Sequence, residues 1–330
     1  MVKNQSKNNK LLPAKGGSTS GGKSTRDGFG EALLLLGEKN KQVVVVSADL
    51  AESTRVDKFA KKFPARFVEV GVAEQNMLGV AAGLALGGKI PYAASFGVFS
   101  PGRNWDQLRV SVCYSEANVK IVSTHTGLAV GPDGASHQAL EDIAITRCLP
   151  NLIVISPADY IETKKATLAI AEHSGPVYLR LTRQNSPIIT KNSDRFIIGR
   201  ANLLVPGRDV TIVGTGPILA EALLVAKELA KKNIKVEVIN CHTIKPLDKN
   251  TILKSLQKTK CLVTVEDHQV AGGLGSALAE LLAENYPVPM EMVGVRDTFG
   301  ESGQPDELWD KYKISSPHII QAILKVLKRK

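Results

Sequence analysis

The sequence predicts an α/β protein of two domains, each a mainly parallel sheet with helices on both faces. Three observations lead there. Short β-branched apolar runs alternate with segments of helical spacing from about residue 25 onward. The run Gln42–Ser47 is continuous rather than alternating, as a strand buried on both faces must be. Residues 184–199 break the alternation with Ser, Pro, Asn and Asp, and a second α/β series follows, as suits a chain of 330 residues.

Residues 1–25 are rich in Lys, Asn, Gly and Ser and are expected to be a disordered basic tail. Phe29, Ala32, Leu33 and Leu36 then keep helical spacing, and Gly37 loosens the end. Strand 67–70 leads to helix 73–87, strand 92–95 precedes helix 103–113, and strand 119–123 runs into a Gly-rich loop, 126–136. Helix 137–147 and strand 152–155 come next. A further helix is expected after Ser156, with Ser156 as N-cap, Pro157 at its first position and Asp159 in the first turn. Strand 177–181 closes the first domain, 26–185, and residues 186–203 read as a linker. The second domain, 204–330, reads as strand 209–213, helix 217–231, strands 235–239 and 261–266, helix 273–285, strand 291–294 and helix 316–329. No internal repeat is visible.

Composition excludes several function classes. The net charge is +10, but residues 1–26 carry six basic residues and no acid, which leaves +4 for the rest. No basic helix or aromatic-interleaved patch marks a nucleic-acid site. A modest positive balance suits phosphorylated metabolites better. Apolar runs are strand-length, and no secretory leader is visible, so neither a membrane partner nor export is expected. Cys113, Cys148, Cys241 and Cys261 stand far apart without metal-ligand spacing, as in a reducing, cytoplasmic setting.

Residues 66–99 are the most informative segment. They read as a strand, a carboxylate (Glu74) at a helix start, a small-residue helix, a second strand and two aromatics, Phe96 and Phe99. An acid in the first turn of a helix is ordinary on macrodipole grounds. Here the helix behind it is almost wholly apolar, with Gly79 and Gly83 four apart, and is expected to be buried and closely packed. A carboxylate in such surroundings needs a partner. Phe96 and Phe99 serve either as core or as a shelf for a flat heterocycle. Farther on, T-H-T-G-L-A-V-G-P-D-G-A-S-H-Q (124–138) places His125, Asp133 and His137 between a strand and a helix, where open α/β sheets bind ligands.

Together these segments resemble the transketolase family. The resemblance rests on D-L-x-x-S-T (Asp49, Leu50, Ser53, Thr54), V-G-V-A-E-Q-N-M around Glu74, S-F-x-x-F, T-H-T-G-L, D-G-x-x-H-Q (Asp133, Gly134, His137, Gln138) and L-T-R-Q-N (Arg183), and covers roughly 26–330. It implies a thiamine diphosphate pyrimidine-binding domain followed by the family's C-terminal domain. It implies that Glu74 activates the cofactor, that Phe96 and Phe99 flank its pyrimidine, and that Asp49 and Leu50 line the same region. His125 and Asp133 would address sugar hydroxyls. Ser53, His137 and Arg183 would hold the substrate phosphate, a role a planar guanidinium suits. Glu74, His125 and His137 are the implied catalytic groups.

Family members also carry a domain that grips the diphosphate through Mg2+ with a G-D-G…N motif, and no G-D-G occurs here. The chain is therefore expected to be the C-terminal subunit of a split enzyme. It would pair with an N-terminal subunit that supplies the diphosphate and Mg2+ site, in a heterotetramer that moves two-carbon ketol units between sugar phosphates. A deoxyxylulose-phosphate synthase, a 2-oxoacid dehydrogenase β subunit and a non-catalytic module are the alternatives, the first disfavoured by the His of T-H-T-G-L. The family places Tyr or a similar group just after the aromatic pair, where this chain has Pro101 and Gly102; Arg103 follows, free to reach a phosphate or merely to open a helix. G-T-G-P-I-L-A (214–220) approximates a dinucleotide fingerprint, but a bare strand-to-helix turn fits equally. E-D-H-Q-V-A-G-G-L-G (266–275) resembles a family motif near the subunit interface, in a domain that the family places away from the active centre. His242 and His268 are expected to be structural.

Overall fold

The computed structural model describes residues 22–330, and residues 1–21, most of the expected tail, lie outside the described residues. The rest of that tail is ordered. Lys23–Ser24 pairs antiparallel with Asn185–Ser186, and a helix begins at Thr25 with Ser24 as its N-cap.

Two sheets form the body. The first has seven strands in the order Thr243–Lys245, Ile153–Ile155, Val177–Arg180, Lys120–Thr124, Ile90–Phe96, Val43–Ser47 and Phe67–Glu69. All pairs are parallel except the edge pair of Thr243–Lys245 with Ile153–Ile155. The second has five strands in the order Met290–Val295, Leu262–Gln269, Val210–Gly214, Val236–Asn240 and Asn202–Val205, the last antiparallel. Val43–Ser47 is buried at every position, as its unbroken apolar run requires.

Register sets the site. Ser47 lies opposite both Glu69 and Ala94, Phe96 opposite Thr124, and Ser123 opposite Arg180. The carboxyl ends of five strands therefore finish along one edge. The segments that leave them carry Asp49, Glu74, Phe99, His125 and Arg183.

Several elements differ from expectation. The helix placed at 103–113 starts at Trp105, and its α-turn gives way to wider π-type turns over Leu108–Tyr114. The helix placed at 137–147 is only Asp142–Arg147, while the Gly-rich loop holds a kinked 3-10 segment, Leu128–Asp133. Ser156 is not an N-cap. Asp159 caps the helix Tyr160–Glu172, its Oδ1 accepting from Glu162 N at 2.8 Å. Asp159 also accepts from the Ile189 and Thr190 amides at 2.7 and 2.6 Å, which ties the following segment to the helix start. Ser156 N instead donates to the His242 carbonyl. The expected linker is structured where Asn202 begins a strand. Helices Asp57–Lys62, Lys249–Thr259 and Pro305–Lys311 were not anticipated.

The helix Glu74–Leu86 corrects a sharper expectation. Met77, Leu78, Ala81 and Ala82 are buried, but its glycine face is not packed. A Cβ at Gly79 or Gly83 would meet nothing within 4 Å, and Val72 and Leu86 are 71% and 72% exposed. In the single chain this face points outward, away from its own sheet. No helix among the described residues is long and apolar enough to cross a membrane.

Replacing Asp159 by Ala removes a cap and leaves two buried amides, the part-buried Ile189 amide and the Thr190 hydroxyl without their acceptor. The expected cost is about 3 kcal/mol or more. A urea titration reads it, and a midpoint equal to the wild type would refute the assignment.

Candidate active site

Glu74 sits in the first helical turn after the extended residues of Phe67–Glu69 and a turn at Gly71, whose φ of 73° suits glycine. Its side chain is 4% exposed, and the helix dipole favours its charge. Arg103 Nη1 lies 3.3 Å from both of its carboxylate oxygens. The Arg103 guanidinium also covers the Phe99 ring at 4.2 Å from the centroid. Asn104 Nδ2 donates to the Glu74 carbonyl and to Ser100 Oγ, both at 3.1 Å. The 100–104 turn thus straps the start of the Glu74 helix. A Cβ on Gly102 would stand 2.3 Å from the Val98 carbonyl oxygen, so the turn as folded takes no side chain there.

Phe96 and Phe99 stack with centroids 5.8 Å apart and planes 18° from parallel. His125 stacks on Phe96 at 3.7 Å, and His137 meets Phe96 and Phe99 edge-on at 6.2 and 5.6 Å. The structure therefore brings Glu74, Phe96, Phe99, His125 and His137 into one aromatic and acidic cluster, joined through Arg103. Arg103, set aside on sequence grounds, belongs to it.

Beside this cluster lies a basic corner. Arg183 Nη1 donates to Asp133 Oδ1 at 3.0 Å and to the Val130 carbonyl at 3.3 Å. Arg26 Nη1 donates to the Ser53 carbonyl at 2.8 Å, while its buried Nε has no partner among the described residues. Burial, with Arg55 next to it, pulls the Arg26 guanidinium down to about 10. Arg55 Nε in turn pairs with Asp27 at 2.7 Å. Sequence reading placed Arg26 at the very start of the first domain and gave Arg55 no role. One signal was available: Arg26 stands in the first turn of a helix, where the macrodipole opposes a cation.

Asp49 and Leu50 end on the same sheet edge, but neither makes a hydrogen bond to Glu74 or to His125. Asp49 is exposed, and its amide donates to Glu69 Oε1 at 2.7 Å. Glu69 also accepts from Gly71 N, so it holds both turns. No group of three His, Cys, Asp or Glu side chains is arranged to hold a metal among the described residues. The G-T-G-P turn is filled from within: the Gly216 amide and the Thr215 hydroxyl donate to the Ser156 carbonyl, both at 3.3 Å. His268 accepts from Ile143 N and His242 stacks on Phe196, each fully buried. The second domain does not stand clear of the cluster: Asp267 accepts from Leu128 N at 2.9 Å.

His125 has a positive φ of 57° and shares a hydrogen with the Thr124 hydroxyl at 2.8 Å. Burial first, then Arg26 and Arg183, push its imidazole down to about 3. A neutral ring can donate or accept a hydrogen bond but carries no proton to give at neutral pH. Because the folded value lies below the unfolded one, its contribution to stability is present above pH about 6.5 and is lost as pH falls toward 3. The imidazole NMR signals of His125, assigned by its replacement with Asn, should not titrate between pH 8 and about 5. A midpoint near 6.5 would contradict this environment.

Comparison with known proteins places the chain. The transketolase pyrimidine-binding domain model matches residues 22–188, and the transketolase C-terminal domain model matches 199–319. A putative transketolase C-terminal section from Methanocaldococcus jannaschii is 47% identical over 93% of this chain and 97% of its own length. The 6-deoxy-6-sulfo-D-fructose transketolase subunit SqwH of a Clostridium species is 45% identical over 92% of this chain and 95% of its own. A solved structure described as a split gene transketolase, inactive beta4 tetramer, superposes with a TM-score of 0.88 at 46% identity, covering 94% of this chain and all of the other. With both domain models matched in order across the two sheets, this chain belongs to the transketolase family.

Proposed function

We propose that this chain is one subunit of a split transketolase. Together with a second subunit carrying the diphosphate and Mg2+ site, it transfers a two-carbon ketol unit from a ketose phosphate to an aldose phosphate, in the cytoplasm. The observation that carries the reading is Glu74. It is a carboxylate buried beside a stacked aromatic pair, with the half-exposed Arg103 guanidinium as its only side-chain partner among the described residues, on a helix whose outer face no described residue covers.

The residues present fit thiamine diphosphate. Phe96 and Phe99 would flank its aminopyrimidine, with Asp49 and Leu50 at the margin, and Glu74 would hold a proton shared with a ring nitrogen. When bound, this cofactor supplies a carbon at which a carbon–carbon bond next to a carbonyl can be broken and remade. Neutral His125 and Asp133 would bind sugar hydroxyls, and His137 would exchange a proton with a substrate oxygen. Arg183, Arg26, Ser53 and His137 would hold the terminal anion, where a forked guanidinium meets two oxygens at once. Among the described residues no group of acids and histidines is arranged to hold a metal, and this reading puts the Mg2+ ligands on the partner. The exposed Val72, Gly79, Gly83 and Leu86 support a covering chain and a heterotetramer with sites at its interfaces.

The relative named for a sulfonated fructose shows that a transketolase subunit this similar acts on a sugar with another terminal anion. The basic corner suits either anion, and a pentose phosphate is the substrate proposed here. His125 speaks against a deoxyxylulose-phosphate synthase, which by resemblance carries Arg at that position. A non-catalytic module would not need the buried acid.

Reconstitution of the two subunits with thiamine diphosphate and Mg2+ tests the reading. Glu74→Ala should lower ketol transfer by about 10³-fold or more with assembly intact by gel filtration. Substantial turnover by the variant, or full turnover by this chain alone, would refute it.

A further inference from the structure

The loop that carries His125, Asp133 and His137 is held by the second domain. Asp267, buried at the end of the strand Leu262–Gln269, accepts from Leu128 N at 2.9 Å and from Ala129 N at 3.2 Å. Trp309 Nε1 donates to the same carboxylate at 3.1 Å, and Arg180 Nη2 donates to the Asp267 carbonyl at 2.9 Å. A carboxylate with three donors fixed in place is a stiff support, because each bond to a charged acceptor is stronger than a neutral one.

The fit is close along the whole loop. A Cβ on Gly127, which has φ 78°, would lie 2.3 Å from Asp267 Oδ2. One on Gly134 would lie 2.6 Å from Ser302 Oγ, and one on Gly300 would lie 1.9 Å from Gln138 Oε1. Gln138 Nε2 donates to the Glu301 carbonyl at 2.9 Å. The loop has only a short kinked 3-10 segment of its own to order it. Arg183 of its own domain holds the Val130 carbonyl and Asp133, and the rest of its outer support comes from residues 267 and 300–309 of the other domain.

We propose that Asp267 is a positioning residue for ketol transfer. By holding the Leu128 and Ala129 amides it sets where His125, Asp133 and His137 stand, and so sets the affinity for the sugar phosphate. The proposal rests on the function proposed above. It assigns the second domain a part in substrate binding rather than in assembly alone. Glu74, Phe96 and Phe99 leave from other strands, so cofactor affinity does not depend on Asp267.

Asp267→Asn keeps the volume but turns an NH2 toward one of the three donors. In the reconstituted two-subunit enzyme, KM for the sugar phosphate should rise about 10- to 100-fold, as misplacement by an ångström allows. The Kd for thiamine diphosphate, measured by calorimetry on the assembled enzyme, should stay unchanged. Hydrogen exchange on the full chain should quicken in peptides spanning 127–134 but not in 43–47 or 90–96. Gly127→Ala, which crowds the same carboxylate, should give the same split, and Trp309→Phe a smaller shift in the same direction. If Asp267→Asn does not fold, these two variants decide. Wild-type KM with unchanged loop protection in the variants would overturn the proposal, and so would a cofactor Kd that weakens as much as KM rises. Absence of ketol transfer by the wild-type pair would instead refute the function proposed above. The exchange measurement would then still show whether Asp267 fixes the loop.

Discussion

A parallel sheet covered on both faces leaves polar chemistry one place to stand, the carboxyl ends of its strands. In this chain the register aligns five such ends, and everything distinctive about the molecule follows from that edge. Four of the five, all but the edge strand Phe67–Glu69, are too buried to carry a charge at the centre without a partner. Lys120, buried at the start of Lys120–Thr124, shows the cost: its ammonium needs the Asn118 side chain and the His173 and Gly175 carbonyls. At the far end of the same strands, the charges face one another instead.

That edge is electrostatically incomplete in the single chain. Arg55 and Arg183 stand close enough to depress Arg26, all three depress His125, and among the described residues Asp27 and Asp133 pair with Arg55 and Arg183. A desolvated guanidinium with an unpartnered Nε is costly as a purely structural device. A bound dianion would reverse the balance, since the like charges that oppose one another when the corner is free act together on an oxyanion. On the other side the polarity is inverted: Glu74 is the buried acid, and Arg103 is the one cation among the described residues that pairs with it. The two halves of this edge thus carry opposite charge, a buried carboxylate beside an aromatic pair and a set of cations around His125. The proposed reaction needs both.

Much of this was legible in the sequence where chemistry and period agreed. The continuous run Val43–Val46 announced a doubly covered strand, and S-F-x-x-F announced an aromatic pair that the structure does stack. Legibility failed where burial was polar. On the inner face of the helix Lys249–Thr259, Ile252 and Leu256 share the buried positions with Ser255 and Thr259, each hydrogen-bonded to Thr211 at 2.6 Å, which shortens its apolar stripe. Asp159 was placed one turn too deep because its real task, to accept amides from residues 189 and 190, lies far along the chain. Arg26 was hidden by the basic tail before it. Gly79 and Gly83 were read as a packed face because small residues four apart mean close approach. Nothing among the described residues approaches them.

The two domains are less separable than the break near residue 190 suggests. After that break the chain returns to the first sheet, where Thr243–Lys245 adds an antiparallel edge strand beside Ile153–Ile155. Asn240 donates to both oxygens of buried Glu162, and the Gly216 amide to the Ser156 carbonyl. Arg180 and Asp142 form a buried ion pair, with the Tyr178 hydroxyl donating to the same acid, and Arg180 then reaches across to the Asp267 carbonyl. Breaking such a pair leaves a charge stranded in an apolar medium, so the seam resists opening by small steps. A seam of this kind would be wasteful if it served only to tether a spare domain. It becomes intelligible when the same strand end that anchors it also carries the carboxylate that shapes the His125 loop.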